Sequence, residues 1–373
     1  MRILIAPDKF KGSLTAEQVA MIIGDVLTRD RPDLDWRACP VTDGGDGMLA
    51  AALGAGYVRE PVTVSGPTGR SVDSGYARRD GSAVVELADA SGLARLPDGR
   101  PDPMGASTRG TGELIAAALR AGCTDIVLGI GGSASTDGGA GMVTALGARI
   151  LDERGDPLPD GGGSLADAAA LDLSGLDPRL DGAQIVVASD VDNPLLGARG
   201  AAAVYGPQKG ADPDQVALLD RSLRRWAELV RTTTGQDVAA RPGAGAAGGT
   251  GFGAMAILGA SLRPGIEIVL DLVGFHDALA GADLVITGEG SLDEQTLHGK
   301  APAGVAEAAR RGGVAVAAVC GRNALSPEQA ERAGFDRIWA LADLEPDPAR
   351  SMAHAPELLA KLAREIAADL PRS

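Results

Sequence analysis

Aromatic side chains make up only 3% of the 373 residues, so a core cannot rest on large rings and must be built from Ala, Val, Leu and Ile. That inventory suits α/β architecture, in which buried strands are covered by helices. Cysteine is equally scarce. Cys39, Cys123 and Cys320 lie far apart, contain no CxxC pair, and by their odd number cannot complete a disulfide framework; they read as buried thiols. There are three histidines, and neither His276 nor His354 sits in a ligand-like cluster, which argues against a zinc site of His/Cys type. No apolar run approaches 18 residues, and the apolar stretch in "MRILIAPDKF" is too short for a signal peptide, so no membrane partner and a cytoplasmic location are expected. Positive charge is also in short supply, with 35 Lys and Arg against 50 Asp and Glu, a net charge of -15. This balance argues against a nucleic-acid partner. Against it, Lys9, Lys11, Arg109, Lys209 and Lys300 stand out as cations that could serve an anionic small molecule.

What the sequence does hold is apolar patterning over 45% of its residues, in a chain long enough for two domains. Short apolar runs ending in Gly, Asp or Ser recur as "RILIAPD", "DIVLGIGG", "AQIVVASD", "ADLVITGEG" and "VAVAAVCGR", and read as buried parallel strands with functional loops at their C-terminal ends. Helical periodicity follows or intervenes in "TAEQVAMIIGDVLTRD", "STRGTGELIAAALRAG", "PDQVALLDRSLRRWAELVRTTTG", "APAGVAEAARRGG" and "PELLAKLAREIAADL". The first carries a capping box, Ser13 or Thr15 ahead of Glu17 or Gln18. The stretch "EPVTVSGPTGRSVDSGYARRDGSAVVELADASG" alternates Val and Thr between Pro and Gly turns, as antiparallel strands do, and suggests that the chain enters a second domain near residue 62. The Gly/Ala-rich "RPGAGAAGGTGFGAMAILGA" runs straight into apolar helical spacing and reads as a loop packed against a site.

Five glycine-rich segments carry the polar chemistry. In "APDKFKGSLTAEQVA", Asp8, Lys9 and Lys11 follow a strand, and Gly12 and Ser13 lie where N–H groups at a helix N-terminus can receive an anion. In "VTDGGDGM", Asp43 and Asp46 flank glycines and suit a metal or hydroxyls better than a phosphate. "GIGGSASTDGGAG" lacks the lysine of a Walker A loop, and read alone is a phosphate cradle or a packed turn. "ASDVDNPLLG", with "GPQKGA" after it, places Asp190 and Asp192 at a buried strand's end, where carboxylates need a partner. "VITGEGSLDEQTLHGKAPAGVA" gathers Glu289, Asp293, Thr296, His298 and Lys300 on a strand, turn and helix. Together these loops form the inventory of phosphoryl transfer, which requires positioning, a divalent ion on the phosphates, cations, and a carboxylate to take the attacking hydroxyl's proton.

The blocks "IAPDKFKGSLTA", "DGGDG", "GPTG", "STRGTGELI", "GIGGSASTDGGAGM", "SDVDNPLLG", "GPQKGA", "GGTGFG" and "TGEGSLDEQTLHGKAP", in this order over residues 3 to about 303, resemble the bacterial glycerate kinase family. The resemblance implies two α/β domains facing each other across a cleft, one Rossmann- or flavodoxin-like with a mostly parallel sheet and the other with a mixed sheet. Residues 1–62 and 280–373 would form the first and 63–279 the second. It implies an enzyme that uses ATP and Mg²⁺ to phosphorylate D-glycerate, giving 2-phosphoglycerate, with a homodimer as one assembly to consider. Formation of 3-phosphoglycerate, a different hydroxy-acid acceptor, and a non-catalytic sensor are the alternatives.

On this reading Lys9, Lys11 and Arg109 hold the glycerate carboxylate, Arg109 by a bidentate grip. Asp190 leads as general base with Asp8 second, Lys9 also belongs to the catalytic set, and Asp192 and Asp293 contact Mg²⁺. Ser133, Ser135, Asp137, Asp43 and Asp46 contact substrate. Nucleotide is expected against Gly131 and Gly132, and against Gly288, Glu289, Gly290 and Ser291, with Thr296 and Lys300 beside them.

Overall fold

A computed structural model of the chain describes residues 1–42, 44, 47–298 and 300–371, His298 by its backbone only. Two compact units emerge, Met1–Asp43 with Ile266–Ser373, and Gly44–Gly265. Thirteen strands occur among the described residues: β1 (Arg2–Pro7), β2 (Asp35–Ala38), β3 (Val58–Ser65), β4 (Ser71–Arg79), β5 (Ser82–Glu86), β6 (Asp125–Gly129), β7 (Arg149–Leu151), β8 (Ala170–Asp172), β9 (Gln184–Ala188), β10 (Ser261–Arg263), β11 (Leu284–Leu292), β12 (Ala315–Asn323) and β13 (Arg337–Ala340).

The discontinuous unit is a five-stranded sheet in the order β13-β12-β11-β1-β2, parallel throughout. Its central strands β1 and β11 are buried at nearly every position because a parallel sheet is covered on both faces. Ile3, Ile5 and Ile286 share a core with the helices Ala16–Asp30 and Ala355–Asp369, while the helix Ala301–Arg311 packs on β11 and β12. Of the capping pairs the sequence offers, the first helix uses Thr15 with Gln18.

The continuous unit holds a six-stranded sheet, β10-β9-β6-β5-β4-β3. The Val/Thr-rich stretch forms the antiparallel β3, β4 and β5, and β5 then pairs parallel with β6, so the sheet is mixed. β7 and β8 form a separate two-stranded ribbon. The unit has its own core, with Leu114, Leu128, Val187, Leu223, Trp226 and Phe252 at its centre.

The chain passes between units at residues 43–44 and 265–266, ahead of the position near 62 that the change in patterning suggests and of the return near 280 that the resemblance implies. The helix Met48–Gly54 explains the first difference. Glu86 at the end of β5 accepts the N–H groups of Gly47 and Leu49, which ties that helix to the mixed sheet. At the second crossing, Ile266 packs against Gly304 and the Val273 carbonyl accepts from the Cys39 thiol, both within the parallel unit. All three cysteines are buried and free, and burial pushes Cys39 up to about 11 and Cys320 up to about 12, so these thiols are inert at neutral pH. No helix among the described residues is long and apolar enough to cross a membrane.

Candidate active site

In the parallel unit the polar groups gather where β1 and β11 end. Asp8 is buried; its N–H donates to the Gly288 carbonyl (2.7 Å) and its carboxylate accepts from the Lys9 N–H (2.6 Å). Lys9 is half-buried and Lys11 exposed. The Phe10–Leu14 turn rests on β11, since a Cβ on Gly290 would lie 3.1 Å from the Lys11 nitrogen. This turn closes on itself. The Ser13 N–H goes to the Phe10 carbonyl, and the following helix is capped by its own Thr15 and Gln18 side chains, so the Ser13 N–H is not open to the anion expected there.

The Gly288–Ser291 segment is likewise strand and not a phosphate loop. β11 runs on to Leu292, paired with β12 as far as Asn323, and Gly288 is needed because a Cβ there would meet the Val319 carbonyl at 1.9 Å. Gly288 and Ser291 pair with β12, opposite Val319 and Arg322. Glu289 is 9% exposed and accepts from the Thr296 hydroxyl (2.6 Å), with the Lys300 ammonium 3.8 Å away, so these three predicted residues do come together. Asp293 accepts from the Gln295 N–H and caps the next turn.

In the mixed unit, "GIGGSASTDGGAG" leaves β6 as a buried loop. Asp137 is fully buried and accepts the N–H and hydroxyl of Thr108 (both 2.8 Å) and the N–H groups of Gly139 and Gly141 (both 3.2 Å). Burial pushes its carboxyl up, and those donors pull it down. The carboxylate is consumed in stitching the loop to the helix Arg109–Arg120, which removes Asp137 as a substrate contact. Ser133 and Ser135 are buried as well, and both accept from Lys209, Ser133 through its hydroxyl (2.8 Å) and Ser135 through its carbonyl (2.5 Å). Lys209 is 2% exposed, and desolvation, opposed by the Asp137 charge, pushes it down to about 7. Gly131 and Gly132 lie nearer the surface, and the Gly132 carbonyl accepts from the Leu93 N–H. Beside them an open groove of about 360 Å³ is lined by Leu49, Glu86, Ala88, Asp89, Ala94 and Arg95.

Arg109 does not offer an open guanidinium. Both arms of its fork reach Asp160 (2.6 and 2.8 Å), a bidentate pair that replaces the expected grip on a substrate carboxylate. Asp190 follows β9, is exposed, and accepts the Gly265 N–H (2.9 Å). Asp192 is exposed and faces Arg199 at 3.3 Å. The two carboxylates assigned to Mg²⁺, Asp192 and Asp293, belong to different units, and among the described residues no group of three or more His, Cys, Asp or Glu could hold a metal ion. Asp43 and Asp46 lie outside the described residues.

Glu86 lies outside the residues singled out from the sequence, and Lys209 stands there only among the cations for an anionic small molecule. Both had a signal: a lysine between Pro and Gly in "GPQKGA", and a carboxylate closing the buried run "AVVE", the same pattern that marks Asp8 and Asp190.

The glycerate kinase family matches residues 3–371. A protein of Escherichia coli (strain K12) named glycerate 2-kinase is 46% identical over 83% of this chain and 82% of its own. A glycerate kinase of Halalkalibacterium halodurans is 44% identical over 98% of this chain and 97% of its own. A crystal structure assigned to glycerate kinase 2 of Salmonella typhimurium LT2 is 43% identical and superimposes with a TM-score of 0.88 over 99% of this chain and 97% of that one. With its parallel and mixed sheets and its strand-end polar loops, the chain belongs to the glycerate kinase family.

Proposed function

We propose that the chain catalyses ATP-dependent phosphorylation of D-glycerate, giving 2-phosphoglycerate and ADP. The observation that carries this reading is likeness over almost the whole chain to proteins named glycerate kinase, with the name of the 46%-identical E. coli relative supplying position 2. The substrate hydroxyl oxygen attacks the γ-phosphorus, its proton passes to a carboxylate, and ADP leaves. Asp190 is the base in this proposal: it is an exposed strand-end carboxylate held in place by the Gly265 N–H. Lys9 and Lys11, which follow β1, are the proposed cations for the glycerate carboxylate. The Gly131–Ser135 loop is the proposed contact for the nucleotide phosphates, because Gly288–Ser291 is strand. Mg²⁺ is read as part of the nucleotide substrate, since no described residues form a cage for it.

The test is incubation with D-glycerate and MgATP and identification of the product by ³¹P NMR. 2-Phosphoglycerate with one ADP per turnover is expected. 3-Phosphoglycerate alone would overturn the position, and ATP left unconsumed would overturn the kinase reading.

A further inference from the structure

A lysine 2% exposed is costly to keep unless its ammonium has work to do, because desolvation of a charge in a protein interior is offset only by good hydrogen bonds. Both hydrogen bonds of the Lys209 ammonium go to one short segment, to the Ser133 hydroxyl and, two residues on, to the Ser135 carbonyl. The same segment is braced from a second direction. Ala247, Gly248 and Gly249 all adopt left-handed backbone, and a Cβ on Gly248 would lie 2.1 Å from the Ser135 carbonyl and 2.8 Å from the Thr136 Cα. The Gly248 carbonyl accepts from the Gly138 N–H (3.0 Å). A third constraint comes from Asp137, held by Thr108, Gly139 and Gly141. Between these supports the hydroxyls of Ser135 and Thr136 are buried without a hydrogen-bond partner, so the segment is held in a shape that does not satisfy its own side chains. A chain that needed only a filled core would place an apolar residue at 209.

We propose that Lys209 is a positioning residue for nucleotide binding: by holding Ser133 and Ser135 it fixes the buried Ser133–Thr136 segment, and through it the more exposed Gly131–Gly132 backbone against which the ATP phosphates lie, without touching them itself. This rests on the reading of that loop as the phosphate contact. The left-handed Ala247–Gly249 run is the wall against which Lys209 draws the loop, which gives the glycine-rich "GGTGFG" block its purpose.

The test uses the full chain and the substitution Lys209→Met, which keeps the length and removes the charge. The expected result is a KM for ATP raised on the order of tenfold or more, as loss of the hydrogen bonds that hold the loop would give, with KM for D-glycerate within about threefold of wild type. Amide hydrogen exchange of the ligand-free protein should speed up in residues 131–137 and stay unchanged in the Met1–Asp43 and Ile266–Ser373 unit. Unchanged exchange in the loop together with an unchanged KM for ATP would overturn the proposal, and a rise confined to KM for D-glycerate would overturn the nucleotide assignment. If Lys209→Met does not fold, Ser133→Ala removes one of the two contacts: faster loop exchange, restored by Ser133→Thr, supports the proposal, and unaltered exchange overturns it. Should the wild-type protein fail to turn over ATP with D-glycerate, the kinase reading falls, and loop exchange in the variants still decides whether Lys209 positions the loop.

Discussion

Lys209 and Asp137 are both fully buried, and the Lys209 ammonium feels the Asp137 charge. With its pKa lowered from 10.5 to about 7, Lys209 carries a proton in both folded and unfolded chains below pH 7, and its burial cost is then fully present. Between about 7 and 10.5 the unfolded chain binds a proton that the folded chain does not, so this group makes stability rise with pH. Urea melts should therefore show the difference between wild type and Lys209→Met shifting in favour of wild type from pH 7 to pH 9. A difference flat across that range would mean that Lys209 does not titrate there. Asp190→Asn should fold normally and lower kcat by about 10²- to 10⁴-fold, the usual contribution of a general base; near-wild-type turnover in a coupled ADP assay would remove it from that role. Arg109→Ala carries the opposite expectation. Because the guanidinium is spent on Asp160, a partly exposed pair, KM for D-glycerate should stay within about twofold while the melting temperature falls slightly.

Among the elements, β11 shows most clearly how local reading goes astray. "VITGEGSL" contains two glycines that look like a turn, yet the strand continues through them, because the neighbouring β12 approaches so closely that Gly288 has no room for a side chain. Gly288→Ala should destabilise the chain by more than about 3 kcal/mol, since the Cβ meets a backbone carbonyl that cannot move without breaking the sheet, and a lowered urea midpoint would measure it. The loop after β6 is the converse case. Its glycines do leave the strand, but the tertiary partners Thr108, Lys209 and Gly248 decide which of its polar groups are consumed. Helices were easier to read than loops. The run from Ala16 to Asp30 and its Thr15–Gln18 box depend on neighbours within one or two turns, and so are written locally.

At the scale of the whole molecule, the unit Gly44–Gly265 is one continuous stretch of chain with its own mixed sheet and core. The other unit exists only when β1 pairs with β11, Ile3 opposite Leu284, across the intervening chain. Residues 44–265 expressed alone should consequently fold and unfold cooperatively, as read by circular dichroism against urea. A fragment without cooperative unfolding would show that the core of this unit does not suffice. Against the net charge of -15, Lys9 and Lys11 after β1 supply local positive charge suited to an anionic substrate.

The apolar starts of the main strands, the principal helices, the change from a parallel to an antiparallel pattern, the buried thiols and the family were determined by the sequence itself, because each depends on patterns carried within a few residues or on long motifs kept in order. Only the tertiary structure decided which charges are already spent. Arg109 meets Asp160 across 51 positions and Lys209 meets Ser133 across 76, and no local pattern encodes such pairs. The physical reason is that burial of apolar surface follows from periodicity along the chain, whereas a buried charge is tolerable only beside a partner that the completed fold delivers.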